Sequence, residues 1–157
     1  MRGVVLGLGT VACEPFLGGQ TSGTREAPDH RTALHQEIDL KAPATAVEAT
    51  LLGSKQFSAF TGLAASIDPT EGGAFSLFGG LIVGRNVEIV PTTRIVQAWR
   101  PSHWEPGVYS VVRFALKAHG TGTTVVLDHS GFPEGDYDHL LSGWQAHYWG
   151  PLKTLFG

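Results

Sequence analysis

The stretch Gly135-Asp136-Tyr137-Asp138-His139-Leu140-Leu141-Ser142-Gly143-Trp144-Gln145-Ala146-His147-Tyr148-Trp149-Gly150-Pro151-Leu152 decides the fold. Within it and just beyond, Leu140, Leu141, Trp144, Tyr148, Leu152 and Leu155 recur at spacings of mostly three and four. That spacing lays a wide apolar stripe along one side of a helix. Asp136 and Asp138 supply an Asp cap and first-turn acids, which suit the positive end of a helix. Pro151 lacks a backbone donor and predicts a kink near the middle of the helix. A stripe this wide needs an extended apolar surface to lie on.

The residues upstream provide one. Leu34, Gln36, Ile38 and Leu40 alternate with His35, Glu37, Asp39 and Lys41, the pattern of a strand with one apolar face. Pro43 suits the first turn of a helix that carries Val47, Leu51 and Leu52. Gly53-Ser54 breaks it, and residues 55–60 form a second short helix ending at Thr61-Gly62. Short strands follow at residues 64–67, 74–78, 81–90, 94–100, 109–118 and 123–130. Turn signals divide them: Asp68-Pro69-Thr70-Glu71-Gly72-Gly73, Gly79-Gly80, Pro91-Thr92-Thr93 and His119-Gly120-Thr121-Gly122. One strand, two short helices, about six more strands and a long terminal helix make an α+β design, an antiparallel sheet burying one amphipathic helix.

Composition narrows the function. The chain has 157 residues, 42% hydrophobic and 16% charged, enough apolar matter for a core in about one domain. Its net charge is −3 with 11 basic residues scattered along the chain, so no basic cluster marks a nucleic-acid footprint. No apolar run reaches the roughly 18 residues of a spanning helix. The 21 glycines point to many turns and a β-rich fold. The single cysteine, Cys13, builds neither a disulfide nor a cysteine-based zinc site within one chain.

Several motifs then combine. Gly84, Pro91-x-x-Arg94-Ile95-Val96-x-x-Trp99-Arg100 and Gly120-x-Gly122-Thr123 precede Leu127-x-His129-x-Gly131-Phe132 and Gly143-Trp144-x-x-x-Tyr148-Trp149-x-x-Leu152. In this order they resemble the START-like (SRPBCC) superfamily with its helix-grip fold. Within it they look most like the family named for the activator of the heat-shock-protein-90 ATPase, C-terminal domain. The resemblance covers residues 31–157 and implies a curved antiparallel sheet of about six to seven strands around the C-terminal helix, with an apolar cavity between. Members serve as carriers of lipids and hydrophobic ligands, as cyclases and hydrolases, or as chaperone-binding modules, so the fold alone leaves the function open. A stress-response role follows from the family name.

Residues 1–30 read as a leader and flexible linker. Arg2 precedes the short, small-residue apolar run Val4 to Ala12, the outline of a secretory signal, and a polar stretch rich in Gly, Thr and Pro follows. If they are a leader the protein is exported to a periplasmic setting; otherwise it is cytoplasmic. Gly7-x-Gly9-x-x-Ala12, after the strand-like run Val4-Val5-Leu6, matches the G-x-G-x-x-G/A dinucleotide fingerprint, but Glu14-Pro15 and Gly18-Gly19 break the helix that motif requires. Val11-Ala12-Cys13 resembles the end of a lipoprotein signal, with Thr10 where Leu or Val is usual.

Catalytic and metal constellations are missing from the sequence. No G-x-S-x-G elbow occurs. In Asp128-His129-Ser130 strand alternation turns the histidine away from both neighbours, so a triad fails. The seven histidines include no H-x-x-x-H pair, and His139 and His147 stand about two helical turns apart. No catalytic residue, metal ligand or cofactor is therefore assigned. The ligand-binding candidates are Phe57, Phe60, Phe75, Phe78, Trp99, Phe114, His129, Trp144 and Tyr148, with Tyr109 as a further aromatic. Apolar walls with few polar groups suit a binding site.

His129 has two readings, a ligand-facing group tuned by burial or a core histidine satisfied by a carbonyl or hydroxyl. Ser142 and Gln145 neighbour the stripe as orienting groups. Glu88 and Arg113 read best as surface ion pairs, and Trp104 belongs to a loop over the cavity mouth. The leading expectation is a small hydrophobic ligand bound without a cofactor. A chaperone partner is the first alternative. A cofactor-independent enzyme using His129 or a pocket acid on a hydrophobic substrate is the second.

Overall fold

A computed structural model describes residues 27–157. The readings that fall on residues 1–26, namely the leader, the glycine fingerprint and lipidation at Cys13, lie outside the described residues. The last part of the expected linker docks on the domain. The Gly135 amide donates to the Asp29 carbonyl at 3.0 Å, and His30 Nδ1 lies 2.8 Å from the Glu134 carboxylate.

Seven strands form one antiparallel sheet: β1 (Ala33–Leu40), β2 (Ser66–Ile67), β3 (Ala74–Leu77), β4 (Ile82–Val90), β5 (Arg94–Pro101), β6 (Ser110–His119) and β7 (Gly122–Ser130). Their spatial order is β1-β7-β6-β5-β4-β3-β2. Between β1 and β2 lie α1 (Ala44–Leu52) and α2 (Ser54–Thr61). The chain ends in α3 (Tyr137–Trp144), a π-helical turn (Gln145–Trp149) and α4 (Gly150–Phe156). This is the helix-grip arrangement, and most expected strand limits fall within a residue of the observed ones. Two segments differ: only Ser66–Ile67 of residues 64–67 pairs, and Phe78–Gly80 is a tight turn.

Strand alternation decides which side chains face the helix. From β1 these are Leu34, Ile38 and Leu40; from β5 Ile95 and Trp99; from β6 Val112, Phe114 and Leu116; from β7 Val125, Leu127 and His129, all buried. The opposite face is charged. Arg94 grips Glu88 through two hydrogen bonds of 2.7 and 2.8 Å, and Arg113 reaches Asp128 at 3.1 Å, so both expected surface pairs form there.

Local chemistry fixes the sheet's bends. Gly84 has no alternative, since a Cβ there would sit 2.0 Å from the Ala98 carbonyl oxygen and 2.4 Å from Phe75 Cζ. Buried Asn86 takes the Gln97 amide at 2.9 Å and donates to the Asp68 carbonyl at 2.8 Å, tying the Asp68–Gly73 turn to β4 beside a bulge at Val87. At the β4–β5 turn Thr92 adopts φ of 57°, and its amide donates to the Glu48 carboxylate of α1 at 2.9 Å.

The terminal helix departs from the expectation in three ways. Asp136 occupies the cap position but makes no side-chain cap bond; its carboxylate instead accepts the Trp104 indole N–H at 2.5 Å. The break imposed by Pro151 is expressed as a widened turn. Proline cannot donate within the helix, and the Gly150 amide just before it bonds to the Gln145 carbonyl, five residues back. The extra residue advances the apolar stripe. After Leu140, Trp144 and Tyr148 the buried positions are Trp149 and Leu152, whereas Leu155 is 52% exposed. Two indole N–H groups seat the helix on the sheet, Trp149 on Gln36 Oε1 at 2.6 Å and Trp144 on His129 Nδ1 at 3.1 Å.

Candidate functional site

A cavity of about 400 Å³ lies between the terminal helix and the β3–β5 end of the sheet. The helix contributes Leu140, Gly143, Trp144 and Tyr148. Trp99 and Pro101 of β5 and Ile82 of β4 form the facing wall, and Phe78 closes one side. Leu63 and Leu81, both about half exposed, form an apolar lip. The polar groups are at the mouth: Ser102, His103, His139 and His147.

Each wall residue is held from behind. The indoles of Trp99 and Trp144 stack with centroids 4.9 Å apart and planes 11° apart. Tyr148 packs against Trp144 at 4.4 Å and against Phe57 and Phe78 at 5.6 Å. Phe78 sits at φ of 53°, a conformation uncommon for a bulky residue, and the following Gly79 amide fixes the turn by bonding the Ala64 carbonyl at 2.8 Å. The Trp144 N–H has only a donor to offer, so His129 Nδ1 must accept and His129 carries its proton on Nε2. Nε2–H then donates to Ser110 Oγ at 2.7 Å, and that hydroxyl donates to the Trp99 carbonyl at 3.3 Å. The chain Trp144–His129–Ser110–Trp99 thus links both stacked indoles. Burial pushes the His129 imidazole down to a pKa of about 3, which keeps it neutral.

Of the sequence candidates, Phe78, Trp99, Trp144 and Tyr148 line the cavity. Phe57, Phe60, Phe75 and Phe114 pack outside its lining. Phe57 and Phe60 support Tyr148, Phe114 supports Trp144, and Phe75 lies under Gly84. His129 also lies outside it, with both ring nitrogens engaged by the protein; the partners are a strand hydroxyl and a helix indole. Tyr109 is 49% exposed. The Ser142 hydroxyl is spent on the Asp138 and His139 carbonyls of its own turn, and neither it nor Gln145 borders the cavity.

The Trp104 loop borders the mouth through residues 101–103, while Trp104 itself is tucked against Asp136. Sequence reasoning missed the lip and mouth residues Leu63, Leu81, Ser102 and His103, which lie in turns where no periodicity marks a face. Among the described residues no group of three or more His, Cys, Asp or Glu is placed to hold a metal, and no helix is long and apolar enough to cross a membrane.

Known proteins share this architecture. A crystal structure of an HSP90 activator from Plasmodium falciparum superposes with a TM-score of 0.76 at 22% identity, covering 80% of this chain and 96% of that one. The solution structure of the Aha1 dimer from Colwellia psychrerythraea gives 0.68 at 15% identity, covering 80% and 97%. In sequence, the activator of 90 kDa heat shock protein ATPase homolog from Dictyostelium discoideum is 34% identical over 99 residues, 62% of this chain and 26% of that protein. An uncharacterised Schizosaccharomyces pombe protein is 32% identical over 141 residues, 89% of this chain and 42% of its own length. The chain thus spans less than half the length of these two relatives. Residues 41–157 match the family model described as activator of Hsp90 ATPase homolog 1-like protein, and the chain belongs to that family.

Proposed function

We propose that the domain binds a small hydrophobic molecule, without a cofactor, in the cavity between sheet and terminal helix. The observation that carries this reading is the cavity itself: about 400 Å³ walled largely by aliphatic and aromatic side chains, with Ser102 and three histidines, all exposed, among its lining residues. Protein interiors leave few voids larger than a water molecule, and an apolar space of this size with an apolar lip is suited to a ligand. His129 is spent on holding the wall, which favours binding over acid–base chemistry at that residue. Native mass spectrometry of the purified protein, followed by organic extraction, tests the reading. A stoichiometric apolar compound is the expected result, and Gly143→Leu should abolish its retention. Gly143 lines the cavity, and a Cβ there meets nothing within 4 Å, so the added side chain fills space the ligand would use.

A second reading is interaction with a chaperone of the 90 kDa heat-shock class. It is supported by the family match over residues 41–157 and by the names of the relatives. The check is the ATPase rate of purified Hsp90 with and without the chain; an unchanged rate together with no co-elution would remove this reading.

A further inference from the structure

The polar residues of the cavity lining gather toward one end. Ser102 and His103 come from the turn after β5, His139 from the first turn of α3, and His147 from the π-helical turn. The rings of His103 and His139 meet with centroids 5.3 Å apart. His147 stands eight residues further along the helix, about 12 Å by helical rise, with its ring 5.9 Å from that of Phe78. A small head group can therefore meet the His103–His139 pair, but not His147 as well. Among the described residues the pair has one ring nitrogen engaged: His103 Nε2 lies 3.4 Å from the Asp136 carboxylate. That carboxylate also accepts the Trp104 indole N–H, and it does not line the cavity. It braces His103 and leaves Nδ1 unengaged. Asp138, next to His139 in the chain, is paired with Arg31 at 3.1 Å, and neither it nor Glu105 lines the cavity. A group seated at this end thus meets imidazoles with no carboxylate in the lining to compete. Beyond the pair the lining is apolar, ending at Phe78 and Tyr148, whose rings lie 5.6 Å apart.

We propose that the cavity binds an amphiphile whose anionic head group is held by His103 and His139 beside Ser102, with its hydrocarbon tail lying along Trp144 toward Tyr148 and Phe78. The proposal rests on the cavity-binding reading above and adds the class of molecule bound and its orientation. An imidazole supplies one N–H donor when neutral and two when protonated. Histidine is also the side chain that gains charge just below neutral pH, so the pair can match an anion, and charge-assisted hydrogen bonds exceed neutral ones. A cationic head would be repelled by the same protonated pair. A plain hydrocarbon would fill the apolar part and leave the two imidazoles to solvent.

The test titrates the full chain at pH 6, by calorimetry, with three probes that share one tail: decanoate, 1-decanol and decyltrimethylammonium, each below its micellar concentration. Decanoate should bind the wild-type chain roughly tenfold more tightly than decanol, as for a charge-assisted hydrogen bond, and the ammonium should bind weakest. The double variant His103→Gln/His139→Gln should erase the preference for decanoate. Decanol should bind that variant as it binds the wild type, which also shows that the cavity remains intact. His147→Gln should leave decanoate binding within about twofold, since that ring lies too far from the pair to share the head group.

Equal affinity for decanoate and decanol in the wild-type chain, a preference for the ammonium, or a preference for decanoate that survives the double variant would overturn the anionic assignment while leaving the cavity a binding site. Loss of the preference in His147→Gln would overturn the placement of the head group. Failure of all three probes to bind the wild-type chain would overturn the cavity reading and the anionic assignment with it.

Discussion

Burial holds His129 neutral in the folded chain, with a pKa of about 3, whereas an exposed histidine titrates near 6.5. Between those values the unfolded chain carries a proton that the folded chain does not, so stability rises with pH across this window. The contribution is complete above the ordinary histidine value and is lost as pH falls toward 3. Between pH 7 and pH 5 this amounts to about 2 kcal/mol. Urea melts at the two pH values should show the loss in the wild-type chain and a much flatter response in His129→Gln.

His35 acts in the opposite sense. Its hydrogen bond to Asp128 raises its pKa, so its stabilisation is present at low pH and fades as pH rises. It lies in solvent on the outer face, where such pairs contribute little, and it is common to both chains. At Gly84 the argument is steric. An added methyl meets a backbone oxygen and a buried ring that cannot both withdraw, so Gly84→Ala should cost about 2–4 kcal/mol in the same melts.

The terminal helix shows what its sequence revealed and what it concealed. Its existence, its start near Tyr137 and its burial through Leu140, Trp144 and Tyr148 follow from spacing, because each lies one turn from the next. The π-helical turn does not follow from spacing. It arises where Pro151 conflicts with regular hydrogen bonding, and the helix resolves the conflict by inserting one residue, which rotates everything after it. Trp149 therefore turns inward to Gln36, and Leu155 turns out to solvent. Substitution separates the two registers. Leu152→Ala should cost about 2–5 kcal/mol as a core truncation. Leu155→Gln should change stability by less than about 0.5 kcal/mol. A continuous α-helical stripe would make both substitutions costly, so comparing their denaturation midpoints decides the register.

Taken over the whole molecule, the order of elements along the chain and the placement of the terminal helix were legible because Gly, Pro and Asp punctuate the chain at nearly every strand end. The cavity was legible only in part. Trp99 and Trp144 announce themselves as large aromatics on inward positions, but their stacking is a long-range pairing between β5 and α3. Which aromatics face space and which face one another depends on the Trp144–His129–Ser110–Trp99 chain, whose members come from four separate elements. That arrangement couples the cavity to global stability. The wall is formed by residues that also join the helix to the sheet, and both must separate when the chain unfolds. A ligand bound only by the folded state stabilises it in proportion to the logarithm of its concentration over Kd, by about 2.7 kcal/mol at a hundredfold excess. For a domain of this size that corresponds to a rise in Tm of roughly 5–10 °C. Thermal melts with increasing apolar ligand should show this rise in the wild-type chain. Gly143→Leu should melt no lower than the wild type without ligand, since leucine outranks glycine in a helix, and should show no rise with ligand. A rise that persists in Gly143→Leu would place the ligand elsewhere on the molecule.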